Sequence, residues 1–198
     1  MKNHRIKIIA DINRIYSDDV EEIKDLTLQL SGTGIDAVTL DWYMPKDDSE
    51  EEKNKRVTKR ELYILKAFSE LANIEFIPLL DYYQLTIAVV KSILEELKIE
   101  RYLCRRQDGV YIFDIEDKEK AELFVANSVP INPFPVFDLL NYYGFVDNTE
   151  GIATSIVAMV KGALCIVKPV ITSNDDGIGM KGLMELSDFR NSIKRILA

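Results

Sequence analysis

The chain has one histidine, His4, one tryptophan and two cysteines among 198 residues, and each scarcity removes a class of chemistry. A single imidazole ahead of the first strand-like run builds neither a zinc site nor a Ser-His-Asp or Cys-His nucleophile, and His4 reads as a surface residue. Cys104 and Cys165 lie singly in apolar runs without paired metal-ligand spacing, so they read as reduced core thiols rather than a disulfide framework. No window approaches the roughly 20 apolar residues that span a bilayer, and the N-terminal MKNHRIKIIADIN has no apolar signal region or small-residue cleavage site. A soluble, cytoplasmic protein is expected. A basic stripe is lacking too: the formal net charge is −8 and is spread over many helix-like faces, so neither nucleic acid nor a membrane is an expected partner.

What is present is an alternation of strand-like and helix-like runs in a chain that is 47% hydrophobic, enough for one core and a single domain over residues 1–198. Strand 6–12 leads into an amphipathic helix 18–30 capped from Ser17 to Asp19. After the Gly32-Thr33-Gly34 break come strand 37–41, helix 57–72, strand 76–80, helix 84–98, strands 101–106 and 110–114, a short helix 118–123 and strand 124–129. The last quarter, 144–196, adds a strand, a helix opened by Asp147-Asn148-Thr149, a strand ending at Lys168, an irregular loop 173–182 and a closing helix. Eight strands, nearly all apolar on both faces, predict an α/β fold, a compact (β/α)8 TIM barrel with helices shortened or missing after the fourth and sixth strands. An open doubly wound sheet is the alternative. The acidic run 46–52 followed by the basic run 53–56 reads as a solvated loop and a first helical turn, with a mobile flap as the sharper reading.

In such a barrel the C-terminal strand ends converge on one mouth, and Asp11, Asp41, Asp81, Asp114 and Asp147 all end strands. Converging carboxylates either rise in pKa or gather a hard cation such as Mg2+ or Mn2+, although aspartate after a strand also caps the next helix, as Asp147 ahead of Thr149 would. Arg105, Arg106 and Lys168 add positive charge near the mouth, with only one of the two arginines facing inward, and the amides after Asn148 and Thr149 suit an anion. Trp42, Tyr43, Tyr82 and Phe113 either stack on a sugar or pack the rim.

Five segments carry a resemblance to one family. ADIN at 10–13 is similar to an Ala-Glu-Ile-Gly, GIDAVTLD at 34–41 to a Gly-Ala-Asp-Ala-Val-Lys-Phe-Gln, and IEFIPLLD at 74–81 to an Ile-Glu-Phe-Leu-Ser-Thr-Pro-Phe-Asp. LEELKIERYLCRR at 94–106 is similar to the segment bearing a Tyr-Lys-Ile-Ala-Ser, and the stretch from Gly144 to a Gly-Tyr-Ser-Asp-His-Thr run followed by a Glu-Lys-His strand. These, in this order, resemble the barrel of the sialic acid synthase (NeuB) family. The resemblance implies a barrel related to nonulosonic acid, or surface-glycan, biosynthesis, in which phosphoenolpyruvate condenses with an N-acetylated sugar on a divalent metal, commonly Mn2+.

Carried over position by position, the family's two metal-binding histidines become Asn148 and Pro169. Its lysines after strand two and on strand four become Thr39 and Leu103, its serine before Asp-His becomes Val146, and its glutamate becomes Asp11; Ser128 matches a phosphate-contacting serine. A trianion needs fixed cations, so these replacements predict a pseudoenzyme that binds a sugar, a phosphorylated acid or a partner such as a true synthase, as a homodimer or beside that partner. The residues expected to matter are Asp11 and Asp147 as catalytic or former catalytic groups, and Asp41, Asp81, Arg106, Ser128, Asn148, Thr149 and Lys168 around a ligand, with no metal ligands assigned. The alternative is an active divergent synthase, or a small metal-dependent lyase, using the strand-end aspartates. The family's C-terminal antifreeze-like domain is expected to be absent, since the chain stops just after the closing helix.

Overall fold

Strand β1 (Lys7–Asp11) is apolar on both faces, and both faces are covered. In the computed structural model, which describes residues 6–13, 20–42, 59–81, 87–105, 111–115, 119–126, 142–149, 151–171 and 180–197, Ile8 and Ala10 join one apolar cluster and Ile9 another. The remaining strands are β2 (Ala37–Thr39), β3 (Asp41–Trp42), β4 (Glu75–Phe76), β5 (Leu79–Asp81), β6 (Arg101–Arg105), β7 (Tyr111–Ile115), β8 (Glu119–Ala126), β9 (Gly144–Asp147), β10 (Cys165–Ile171) and β11 (Met180–Lys181). Helices α1 (Val20–Gly32), α2 (Lys59–Leu71), α3 (Ile87–Leu97), α4 (Ala153–Val160) and α5 (Gly182–Leu197) alternate with them.

Strands β2 and β3 are halves of one extended run, as are β4 and β5. Their parallel pairing continues through the break, with Ile77 N donating to Val38 O at 2.9 Å and Leu79 N to Leu40 O at 3.0 Å. Pairing then passes from β5 to β6, β7, β8, β9, β10 and β1, and from β1 back to β2. Eight extended runs therefore form a ring. The inner cluster, including Ile9, Ala37, Leu79, Leu103, Val146 and Val167, draws on strands and adjoining residues and fills the interior in layers, as a barrel core does. The outer cluster packs strand residues such as Ile8, Val38, Phe145 and Ile166 against helix residues such as Ile23, Leu65, Met159 and Phe189.

Two expectations need correction. Strand β7 runs antiparallel to both β6 and β8, so the ring is not a uniform βα repeat. Five residues separate β6 from β7, too few for the crossover that a parallel neighbour requires. Consequently Asp114, opposite Tyr102 in register, sits toward the N-terminal ends of the parallel strands and away from the mouth. Residues 119–123 of the short helix expected at 118–123 belong instead to β8. The Lys-Glu-Lys-Ala-Glu composition favours a helix locally, but pairing with β7 on one side and β9 on the other outweighs one isolated turn. A helix is therefore absent after the fourth strand, as expected, and after the fifth as well; residues 127–141, after the sixth, lie outside the described residues, as do the charged run 46–56, most of loop 173–182, and His4.

Helices α2, α3 and α4 end alike. Backbone bonds run from Ile74 N to Ser69 O, from Ile99 N to Leu94 O and from Ala163 N to Ala158 O, around Asn73, Lys98 and Gly162 in the left-handed region. These closures return the chain to the next strand within three residues.

Gly144 starts β9 where two strands leave no room for a side chain. A Cβ there would meet Cys165 O at 2.4 Å and Leu123 Cδ2 at 2.8 Å. We expect Gly144→Ala to destabilise the fold by about 1–3 kcal/mol, measured as a lowered denaturant midpoint at unchanged m-value.

Candidate functional site

Side chains alternate along each strand, so the inner cluster fixes which polar groups enter the mouth. Asp11 follows Ile9 on the inner face, Thr39 and Asp41 follow Ala37, and Arg105 follows Leu103. They meet. Asp11 Oδ1 accepts from Asn13 N at 3.0 Å and from Asn13 Nδ2 at 2.6 Å, and the same Nδ2 donates to Asp41 Oδ1 at 3.0 Å. Asp41 N donates back to Asn13 Oδ1 at 2.8 Å, and Arg105 pairs with Asp41 Oδ2 at 3.0 Å. One carboxamide thus ties the ends of β1 and β3 together, and one guanidinium ties β3 to β6. The side chains of Asp41 and Arg105 are each 36% exposed, which leaves this rim open to a ligand. Asp11 is half-buried and Thr39, its register partner on β2, is fully buried.

Burial pushes the Asp11 carboxyl up from 3.8 to about 6, and the charge of Asp41 adds to the shift; the two Asn13 bonds and Arg105 oppose it. Asp11 therefore exchanges a proton close to neutrality, as a general acid or base must.

Asp147 and Lys168 are placed differently. Their neighbours Val146 and Val167 belong to the inner cluster, so these two face outward into the layer between sheet and helices, both fully buried. Asp147 Oδ1 accepts from Thr149 N at 3.1 Å and from Thr149 Oγ1 at 2.5 Å, and Oδ2 accepts from Ser155 Oγ at 2.5 Å and pairs with Lys168 Nζ at 3.2 Å. Lys168 Nζ also donates to Thr149 O. The network locks the turn that leads from β9 into α4, so Thr149 holds the turn together with Asp147, and Asn148 lies on it between them.

Of the expected site residues, the structure brings Asp11 and Asp41 together and puts Asp147, Thr149 and Lys168 behind the sheet. Asp81 ends β5 opposite Arg105, its side chain lying outside the described residues together with Arg106 and Ser128. Trp42 is buried in the outer cluster; Tyr43, Tyr82 and the side chain of Phe113 are not among the described residues. Asn13 and Arg105 hold the site, yet Asn13 had drawn attention only as part of ADIN. An Asp-x-Asn turn was the signal.

The opposite end of the ring is polar as well. Glu75 pairs with Lys7 at 2.5 Å and with Arg101 at 2.6 Å, and a groove of about 620 Å3 opens beside them, lined by Ile35, Asp36, Glu70 and Asn73 among others. It lies at the N-terminal strand ends, the face that serves stability in barrels, and we place the site at the other end. Cys165, deep between the two, is held protonated by burial, which pushes its thiol up to about 12.

The donors do not fit the divalent ion that the resemblance implies. Pro169 has no donor, Asp147 is turned away and held by four partners, and among the described residues no three His, Cys, Asp or Glu are grouped to hold a metal.

The chain is similar in fold to solved barrels of low sequence identity. N-acetylneuraminic acid synthetase from Leptospira borgpetersenii superposes with a TM-score of 0.64 at 16% identity, over 98% of this chain and 85% of that one. The spore coat polysaccharide biosynthesis protein of Bacillus subtilis gives 0.60 at 14%, covering 98% and 68%. Phospho-2-dehydro-3-deoxyheptonate aldolase from Thermotoga maritima gives 0.57 at 12%, covering 98% and 70%. The likeness shows the fold. No family model and no curated protein matches the sequence. Among the described residues no helix is long and apolar enough to cross a membrane.

The titration of Asp11 has a consequence for stability. Its folded-state pKa lies above its unfolded value, so its favourable contribution is complete below 3.8 and is lost as the pH rises through about 6. Asp11→Asn keeps an acceptor for Asn13 but carries no charge. The variant should be more stable than the parent by on the order of 2 kcal/mol at pH 8 and indistinguishable from it near pH 3.5, as read from urea denaturation across that range.

Proposed function

We propose that this chain is a sialic-acid-synthase-like barrel in which the metal and phosphoenolpyruvate sites are degenerate, and that it binds a sugar or a partner protein in surface-glycan biosynthesis. The observation that carries this is the make-up of the mouth: by the resemblance, Thr39 and Leu103 stand where cations would hold a trianion, and Asn148 and Pro169 where imidazoles would hold a metal. In their place an Asp11–Asn13–Asp41–Arg105 network lines the rim, with two carboxylates to one guanidinium. Such a rim repels phosphoenolpyruvate and suits hydroxyl groups, whose hydrogens carboxylates accept.

A second reading, an active divergent enzyme, is favoured by one observation, the near-neutral titration of Asp11. The two are separated by incubating the protein with phosphoenolpyruvate, N-acetylmannosamine and Mn2+ while following phosphate release, and by thermal shift with each compound alone. We expect no release and a melting-temperature rise with the sugar only. Turnover that is lost in Asp11→Asn would favour the enzyme instead.

A further inference from the structure

Two polar atoms on the inner face of the mouth have no hydrogen-bond partner among the described residues. Thr39 is completely buried and its Oγ1 makes no hydrogen bond. It stands opposite Asp11 in the parallel register of β1 and β2, between Ala37 and Asp41 on the inner face. Asp11 spends Oδ1 on both Asn13 donors, and among the described residues Oδ2 accepts no hydrogen bond. A half-buried carboxylate oxygen and a buried hydroxyl oxygen thus sit side by side beneath an open rim, over a floor of Leu79, Leu103 and Val167.

We propose that this mouth binds the protonated amino group of a small polyhydroxylated amine against Asp11 and Thr39. The proposal rests on reading the mouth as a small-molecule site and names the class of its ligand. An ammonium carries three donors and no acceptor, which matches two unused acceptors and the neighbouring Asp41 carboxylate. It also adds counter-charge to the site, since Arg105 from β6 pairs directly with Asp41 from β3, whereas among the described residues Asp11 hydrogen-bonds only to the neutral Asn13 and Arg105 is the smallest of the influences on it. A neutral hydroxyl satisfies the same atoms without balancing the charge, and an anion is repelled by both carboxylates. Because Asp11 titrates at about 6, the ammonium loses its partner as the pH falls below that value, whereas a hydroxyl binds either form.

Three probes of one carbon skeleton test this: 1-amino-1-deoxyglucitol, glucitol and gluconate, which are cationic, neutral and anionic, with affinities measured by titration calorimetry on the full chain. The amine should bind at least tenfold more tightly than glucitol, with gluconate weakest, and should lose about tenfold between pH 7.5 and pH 5. Asp11→Asn should erase both the preference and its pH dependence. Thr39→Val, which exchanges the unpaired hydroxyl for a methyl of the same shape, should weaken the amine severalfold without lowering the melting temperature. Equal or tighter binding of glucitol or gluconate, or a preference that persists in Asp11→Asn, overturns the proposal. If N-acetylmannosamine binds and none of the three probes does, the proposal falls while the sugar-binding function stands; if no sugar or polyol binds at all, both fall as small-molecule readings.

Discussion

Period-two alternation along a ring of strands decides which polar groups of this protein meet and which never do. Asp11, Thr39, Asp41 and Arg105 share a parity with Ile9, Ala37 and Leu103, so all four stand on the inner face at the C-terminal strand ends. Asp147 and Lys168 have the other parity and meet each other and the helix layer. A slip of one residue in either β9 or β10 would turn one member of the buried ion pair into the lumen and a valine to the helices, and so break the pair. The pairing of Cys165 with Gly144 pins that register, because no side chain fits at Gly144.

The Asp147–Lys168 pair is held by groups that also set the path of the chain. Taking both charges out of water costs several kcal/mol each, and their mutual attraction recovers that only when the remaining donors and acceptors are filled. Here they are filled by Thr149, Ser155 and the Thr149 carbonyl, which also fix the path from β9 into α4. Asn148 and Pro169 are chain neighbours of this pair, yet neither supplies any of the bonds described for it. A change of side chain at either position therefore leaves the bonds described for the pair in place.

Much of the ring was legible because a strand covered on both faces is a short apolar run, and Ile6 to Ile12 or Ala163 to Val167 can hardly be anything else. That same property hid the direction of the side chains. With Phe145 and Val146 equally apolar, and Ile166 and Val167 likewise, nothing local tells which of each pair faces the lumen, so Asp147 and Lys168 were legible as strand-end polar groups but not as outward-facing ones. The hairpin between β6 and β7 was legible from its short connection. The first half of strand β8 was not, because Lys120, Ala121 and Glu122 are helix formers whose state is set by the strands beside them. Asn13 failed for a related reason: its turn with Asp11 is local, but its bond to Asp41 spans 28 residues and exists only through the β1–β2 register.

The interior below the rim also constrains which charges it can hold. The resemblance puts ammonium groups at the positions of Thr39 and Leu103, both now on the inner face and fully buried. A buried ammonium without an anionic ligand is a desolvated, uncompensated charge, which costs several kcal/mol. A barrel that binds phosphoenolpyruvate recovers this when the trianion arrives; one that does not carries the cost permanently. Leucine at 103 removes it and extends the apolar floor. Threonine at 39 carries no charge but keeps an oxygen, and that oxygen stands unpartnered beside Asp11.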